Sequence, residues 1–378
     1  MNRHNRTCLR VETLEDRRLL NAAGFGDPVD TAWSGYLGGG QSDQARAVAV
    51  DGQGNAWVTG LTYSAGWVTG GSDTSFGGDC DAFVAKISES GQLLWSTYLG
   101  GSAEDEGLGI AVDAAGNAWV TGWTNSSGWA FGGFNTQPGG GSDAFLAKID
   151  NNGTIRWVTY LGGSVNDRGH DVAVDTAGNA WVTGWTRSPD WVGGGFDVTF
   201  DGGPYDAFVA GVDTNGQPLW SSYLGGGDKD IGFSIDVDVA GDLWLTGRTA
   251  STGWVAGGFD TIFGGGDHDA MVAKITTGGE LLWSSYLGGD ARDSATAIAL
   301  DSAGNAWVTG WTDSDGWIAG GENSIPGGGL DAFVGLIGGN GQLRWTTYVG
   351  GEEADQGLCI AVDAADKIKI VEITATPK

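Results

Sequence analysis

Short apolar runs, each bounded by Gly, Asn or Asp, recur along this chain in a fixed order of four. In one unit they are Ile110-Ala111-Val112-Asp113, then Ala118-Trp119-Val120-Thr121-Gly122, then Asp143-Ala144-Phe145-Leu146-Ala147-Lys148-Ile149, then Trp157-Val158-Thr159-Tyr160-Leu161. Runs rich in Val, Ile, Trp, Phe and Tyr between turn-forming residues predict β-strands, here called A, B, C and D. The A–B connection, Asp113-Ala114-Ala115-Gly116-Asn117, predicts a tight hairpin whose Gly takes a positive φ. The same spacing from Asp to Gly recurs at Asp51, Asp175, Asp238 and Asp301.

The unit repeats about every 62 residues, with Trp33, Trp95, Trp157, Trp220, Trp283 and Trp345 each opening a W-x-x-Y-[LV]-G-G phrase. Four antiparallel strands per repeat in tandem predict an all-β fold, a β-propeller of four-stranded antiparallel blades. A β-helix uses shorter coils, and a helical solenoid needs a 3.6-residue period that the chain lacks. Strand A suits a crowded axis, since alternate residues are small at Ala47 and Ala49, Gly109 and Ala111, and Ala297 and Ala299, around the larger Val48 and Ile110. Side chains two apart share a face, so one face is thinned. Complete sets run over 46–99, 107–161, 169–224, 232–287 and 295–349, five in all. A sixth has strand A (Ile360-Ala361-Val362-Asp363) and a degenerate B from Lys367 to Ile373. A lone D strand at Thr31 to Leu37 is expected to complete that blade, leaving strand C missing and protecting an otherwise open edge. The rival reading is a fragment of a longer array. The organisation expected is a targeting-like or disordered segment over 1–28 and the propeller over 29–378.

The phrases Tyr98-Leu99-Gly100-Gly101, Gly116-Asn117-Ala118, and Asp143-Ala144-Phe145 followed by Ala147-Lys148 resemble the SBBP β-propeller repeat family across roughly residues 31–365. The family name implies seven blades, and this chain departs from that number. The resemblance does not assign a function, because a propeller hosts many.

Composition narrows the partners. The 71 glycines oppose long helices, and the 40% hydrophobic content with 19 tryptophans opposes disorder. Of 19 basic and 47 acidic side chains, five and three lie in residues 1–20, which leaves 14 against 44. Nucleic acid and anionic membrane surfaces are therefore poor partners; cations, sugars, basic protein patches, or proteins and polysaccharides generally remain. No apolar run reaches the roughly 20 residues of a transmembrane span. Near the N-terminus, Leu14-Glu15-Asp16-Arg17-Arg18-Leu19-Leu20 resembles the LEPR-XLL motif of exported or surface-associated bacterial proteins, with Asp16 where that motif has Pro. An extracellular or cell-surface location follows from that resemblance. The alternative is a short charged arm. A Cys80–Cys359 disulfide is conceivable if the first blade meets the last, against the plainer reading of lone buried thiols.

Antiparallel alternation sends the D–A and B–C connections to one face, and long loops on a rigid scaffold are where binding sits. The B–C loops carry Trp67, Trp129, Trp191, Trp254 and Trp317; the D–A loops carry Asp43, Asp105, Asp167, Asp230, Asp293 and Asp355. Strand C opens with Asp81, Asp143, Asp206, Asp269 or Asp331. The tryptophans can stack on sugar rings or plug the spaces between blade tops, and the aspartates can bind ligand or accept turn N–H groups. Calcium in the acidic loops is a minor option, since EF-hand and RTX spacing are missing; no other cofactor or metal is expected. Asp171 and Asp236 replace small strand-A residues in neighbouring blades, as a candidate axial acidic pair or as solvated acids. Only His170 and His268 lie in the body, and neither H-E-x-x-H nor G-x-S-x-G is present. The leading expectation is a non-enzymatic binding or scaffold propeller. The alternatives are a lectin-like module and a hydrolase or lyase using the axial acids.

Overall fold

The structure, a computed structural model, describes residues 5–6, 33–321 and 323–374. Five four-stranded antiparallel sheets follow one another along the chain, and a two-stranded sheet ends it. In the second blade strand A is Asp105–Val112, B is Ala118–Thr124, C is Asp143–Ile149 and D is Ile155–Leu161. The last sheet holds only strand A (Asp355–Val362) and strand B (Ile368–Thr374). At the inner edge of the first blade, the backbone of Asn5–Arg6 pairs antiparallel with Val50 and Ala49. The Leu14–Leu20 motif lies outside the described residues.

The local chemistry explains the strands. The A–B hairpin turns on Gly116, with φ of 80°, while Asp113 Oδ1 accepts from Ala115 N and Asn117 N at 3.0 and 2.8 Å. Strand A is longer than its apolar phrase, and a bulge interrupts its register between Gly107 and Gly109. Small residues are required beyond that bulge: a Cβ on Gly109 would come within 2.7 Å of Asp171 Cα in the next blade.

The core lies between blades. Trp119, Phe145 and Val120 are fully buried, and the first continuous cluster joins Trp57 and Trp95 of blade one to Ile110, Val120 and Phe145 of blade two. Trp95 crosses to donate to Asn151 O at 3.1 Å and sits edge-on to Trp57 at 5.2 Å. Burial of one such ring contributes about 3 kcal/mol.

The B–C loops do not hang free. Ser96 N of strand D donates to Thr69 O at 2.7 Å, Tyr98 N donates to Asp73 O at 3.0 Å, and Gly70 bridges Ser96 in parallel. The loop thus straps the outer edge of its own blade, which satisfies backbone groups that an open edge would expose.

Of the expected closing strand, residues 33–37 join no ladder among the described residues, where the last sheet holds strands A and B. Trp33 nevertheless donates to Glu89 O at 3.0 Å, against blade one as Trp95 lies against blade two. The Cys80–Cys359 pairing is corrected: Cys80 is a buried free thiol beside Asp105 O, at the outer end of a B–C loop, whereas Cys359, which lies in strand A, is disulfide-bonded. Cys8 lies outside the described residues.

Candidate functional site

The sequence-predicted aspartates of the D–A loops are the first residues of strand A, and each is a clasp. Asp105 is buried and accepts from Thr124 Oγ1, from Ser126 Oγ at 2.8 Å and from Gly101 N at 2.8 Å. A Cβ on Gly100, whose φ is 153°, would come within 2.3 Å of Asp105 Oδ2, so the Gly-Gly turn exists to let the carboxylate close on it. Asp43, Asp167, Asp230 and Asp293 accept from the equivalent Gly and Ser donors at 2.8–3.0 Å. Asp355 keeps the Gly351 N–H at 2.7 Å.

The loop tryptophans join the same clasp. Trp129 donates to Thr124 Oγ1 at 3.2 Å, the hydroxyl that binds Asp105, and meets Phe145 and Tyr160 edge-on at 5.3 and 6.3 Å. Trp67, Trp191, Trp254 and Trp317 donate to Thr62, Thr186, Thr249 and Thr312 at 3.0–3.1 Å. All five rings are half-buried and pack on the blade cores. Trp and Asp are therefore brought together as predicted, but their polar atoms are spent on one another's strands.

Behind them, Asp143 is also buried. One oxygen accepts from Gly139 N at 3.1 Å, and the other has no hydrogen-bond partner. Burial pushes its pKa up to about 6, and the Asp167 carboxylate adds to the rise against the Gly139 bond. Asp81 rises to about 6, Asp269 to about 7 and Asp206 to about 8, again chiefly by burial; Asp331 rises for the same reason. Among the described residues, no three His, Cys, Asp or Glu side chains converge as a metal-binding set.

The axial acids are tied to backbone. Asp171 Oδ2 accepts from Ser234 Oγ at 2.9 Å and Ile235 N at 3.0 Å, both in the next blade. Asp236 Oδ2 accepts from Leu300 N of the blade after that at 3.2 Å. Each carboxylate thus staples successive A strands, and both are half-buried.

A different group gathers at the end of the axis where strand A begins and strand B ends. Arg168 lies between two indoles, its guanidinium 4.6 Å from the Trp123 ring and 5.7 Å from the Trp185 ring, with a buried Nε that has no partner. Trp185 leans on Tyr205 at 5.4 Å. Glu106 accepts from Trp123 Nε1 at 2.9 Å and pairs with Arg46 at 2.6 Å. His170 occupies the strand-A bulge, where it stacks on Phe233 at 5.5 Å and donates from Nδ1 to Gly232 O at 3.0 Å. Arg248 lies over the same Phe233 ring, at 5.6 Å. Burial pushes the His170 pKa down to about 4, with Arg168 and Arg248 adding to the fall, so the imidazole is neutral at pH 7. Sequence reasoning passed over this set. Its signal was partial: Arg248 stands at a strand-B position held by Trp123, Trp185 and Trp311 in other repeats, whereas Arg168 and His170 stand at strand-A positions that vary from repeat to repeat.

Comparison with known proteins gives three results. The model of the SBBP β-propeller repeat matches residues 32–66, 94–128, 156–189 and 282–316. The regulatory protein FlaEY of Caulobacter vibrioides is 28% identical over 300 residues, which is 72% of this chain and 30% of FlaEY. The chain thus spans about a third of that relative's length. Among solved structures, a protein of unknown function from Bacteroides caccae aligns at 12% identity over 71% of this chain and 78% of its own, with a TM-score of 0.36. The gluconolactonase XC5397 of Xanthomonas campestris aligns at 13% identity over 86% of each chain, with a TM-score of 0.37. Neither likeness bears on function.

Proposed function

This is an SBBP β-propeller repeat protein, and from that premise we propose that it is a non-enzymatic binding module of the cell surface or exterior. The observation that carries this reading is the axial cluster of Arg168, Arg248, Trp185 and Tyr205, half-buried and offered at one end of the ring. Ordinary propeller packing has no use for an arginine held between two indoles with an unpartnered Nε. Rigid surroundings favour binding too, since the strapped B–C loops hold the frame still and lower the entropy lost on association. The name of the Caulobacter relative, a regulatory protein, suits a role exercised through contact. The disulfide at Cys359 suits an oxidising exterior, as does the resemblance of Leu14–Leu20 to an export motif.

The enzyme and loop-lectin alternatives lose support because Asp171 and Asp236 are engaged with the next blades and the loop indoles with their own. The test is a calorimetric titration of the full chain with a panel of soluble neutral and acidic polysaccharides, repeated on a Trp185→Ala, Arg248→Ala double variant. Binding that disappears in the double variant supports the module. Binding that survives it intact moves the site elsewhere.

A further inference from the structure

We propose that the axial cluster is an anion site for an acidic saccharide, with Arg168 and Arg248 taking the carboxylate of a uronate and Trp185 and Tyr205 lining its ring. The inference rests on the binding reading above and adds the ligand class.

The charge arrangement comes first. In a chain of net charge −28, cations are scarce, and five of those described are already ion-paired. Lys86 and Lys274 are paired with Asp51 and Asp238, Arg46 with Glu106, Arg156 with Asp150, and Arg292 with Asp313. Among the described residues Arg168 and Arg248 form no ion pair, and both lie near neutral His170. The acids of that strand A are committed elsewhere, Asp167 to Thr186, Ser188 and Gly163 and Asp171 to Ser234 and Ile235. Holding two guanidiniums against aromatic rings without a counter-ion leaves a local positive site that an oxyanion completes. A planar guanidinium matches a carboxylate through two parallel N–H bonds, and partial burial strengthens each of them.

The surroundings select among anions. Trp185 and Tyr205 present a bent aromatic floor, tilted by 41°, of a size that accepts the apolar face of a pyranose ring. An acidic peptide is the less suitable partner, because peptides commonly add to an open strand edge, and here the strand-D edges are covered by their own B–C loops. Neutral His170 contributes an Nε2 that accepts rather than donates, since its Nδ1–H is held by Gly232. That atom suits a sugar hydroxyl.

The experiment is isothermal titration of the full chain with trigalacturonate, with its fully methyl-esterified form and with oligoglutamate of similar charge. Trigalacturonate is expected to bind and the methyl ester to bind at least about tenfold more weakly, as is Arg168→Gln or Arg248→Gln with trigalacturonate. Arg168→Lys, which keeps the charge and loses the fork, is expected to stay close to Arg168→Gln. Arg156→Gln, on an exposed strand-D position, is expected to bind as wild type, and unchanged melting of every variant shows that the fold persists. Equal binding of the methyl ester overturns the anion site while leaving a binding module in place. Preference for oligoglutamate overturns the saccharide. Failure of all three probes to bind the folded wild type overturns the proposal, and wild-type affinity in both arginine variants overturns it together with the axial placement.

Discussion

Asp143→Asn is expected to make the propeller more stable at neutral pH, although it removes a carboxylate that every complete blade carries. Asp143 is 1% exposed, with one oxygen on Gly139 N and one oxygen lacking any donor. Its neighbour Asp167 is better served, by Thr186, Ser188 and Gly163. Ionising Asp143 therefore places an undersatisfied charge in a buried seam, which is why burial raises its pKa from 3.8 to about 6. A raised folded-state pKa means that the native protein binds more protons than the unfolded chain, so stability falls as pH rises. The contribution is whole below pH 4 and lost as pH passes through 6. Roughly two pKa units correspond to about 3 kcal/mol. An amide cannot ionise, so the variant places no charge in the seam. Urea unfolding between pH 4 and pH 8 should show the variant gaining on wild type by about 3 kcal/mol across that interval. Parallel profiles for the two proteins, or a loss that grows with pH, would refute the reasoning.

Trp129→Ala should cost about 3 kcal/mol, as expected for a truncated core aromatic, while leaving saccharide affinity unchanged; thermal melting and the same titration check both halves. Gly100→Ala should lower stability by more than about 1 kcal/mol, because its Cβ would strike Asp105 Oδ2 at 2.3 Å, and a melting curve reads it. At Lys86, which lies 4.5 Å from the Trp57 ring and 3.1 Å from Asp51, substitution by Met should cost about 3 kcal/mol. Burial works against ionised Asp51, but bonds from Asn55, Trp57 and Lys86 hold its pKa at about 2, so that variant should also raise the carboxyl's pKa in an NMR titration.

Much of the architecture could be read from residues alone, because a tandem repeat states each strand several times. The Ala-Trp-Val-Thr-Gly phrase, the Asp-to-Gly hairpin spacing and the small residues of strand A all appear where their periodicity places them. What resisted reading depended on contacts that strand spacing alone does not show. Asp105 looks like a loop residue until the bulge at Leu108 is known to extend strand A back to it. Trp129 looks like an exposed platform until Thr124 is seen to hold both it and Asp105. Arg248 departs from a strand-B position that is otherwise mostly Trp, whereas Arg168 stands at a variable one, and only the packing of adjacent blades brings it against Trp123.

The most direct test compares two tryptophans that look alike in sequence. Intrinsic fluorescence of Trp129→Phe and Trp185→Phe should be titrated with trigalacturonate beside wild type. The account predicts saturable quenching in wild type and in Trp129→Phe, and its loss in Trp185→Phe. Quenching that disappears with Trp129 and persists without Trp185 would contradict it, returning the binding surface to the loops.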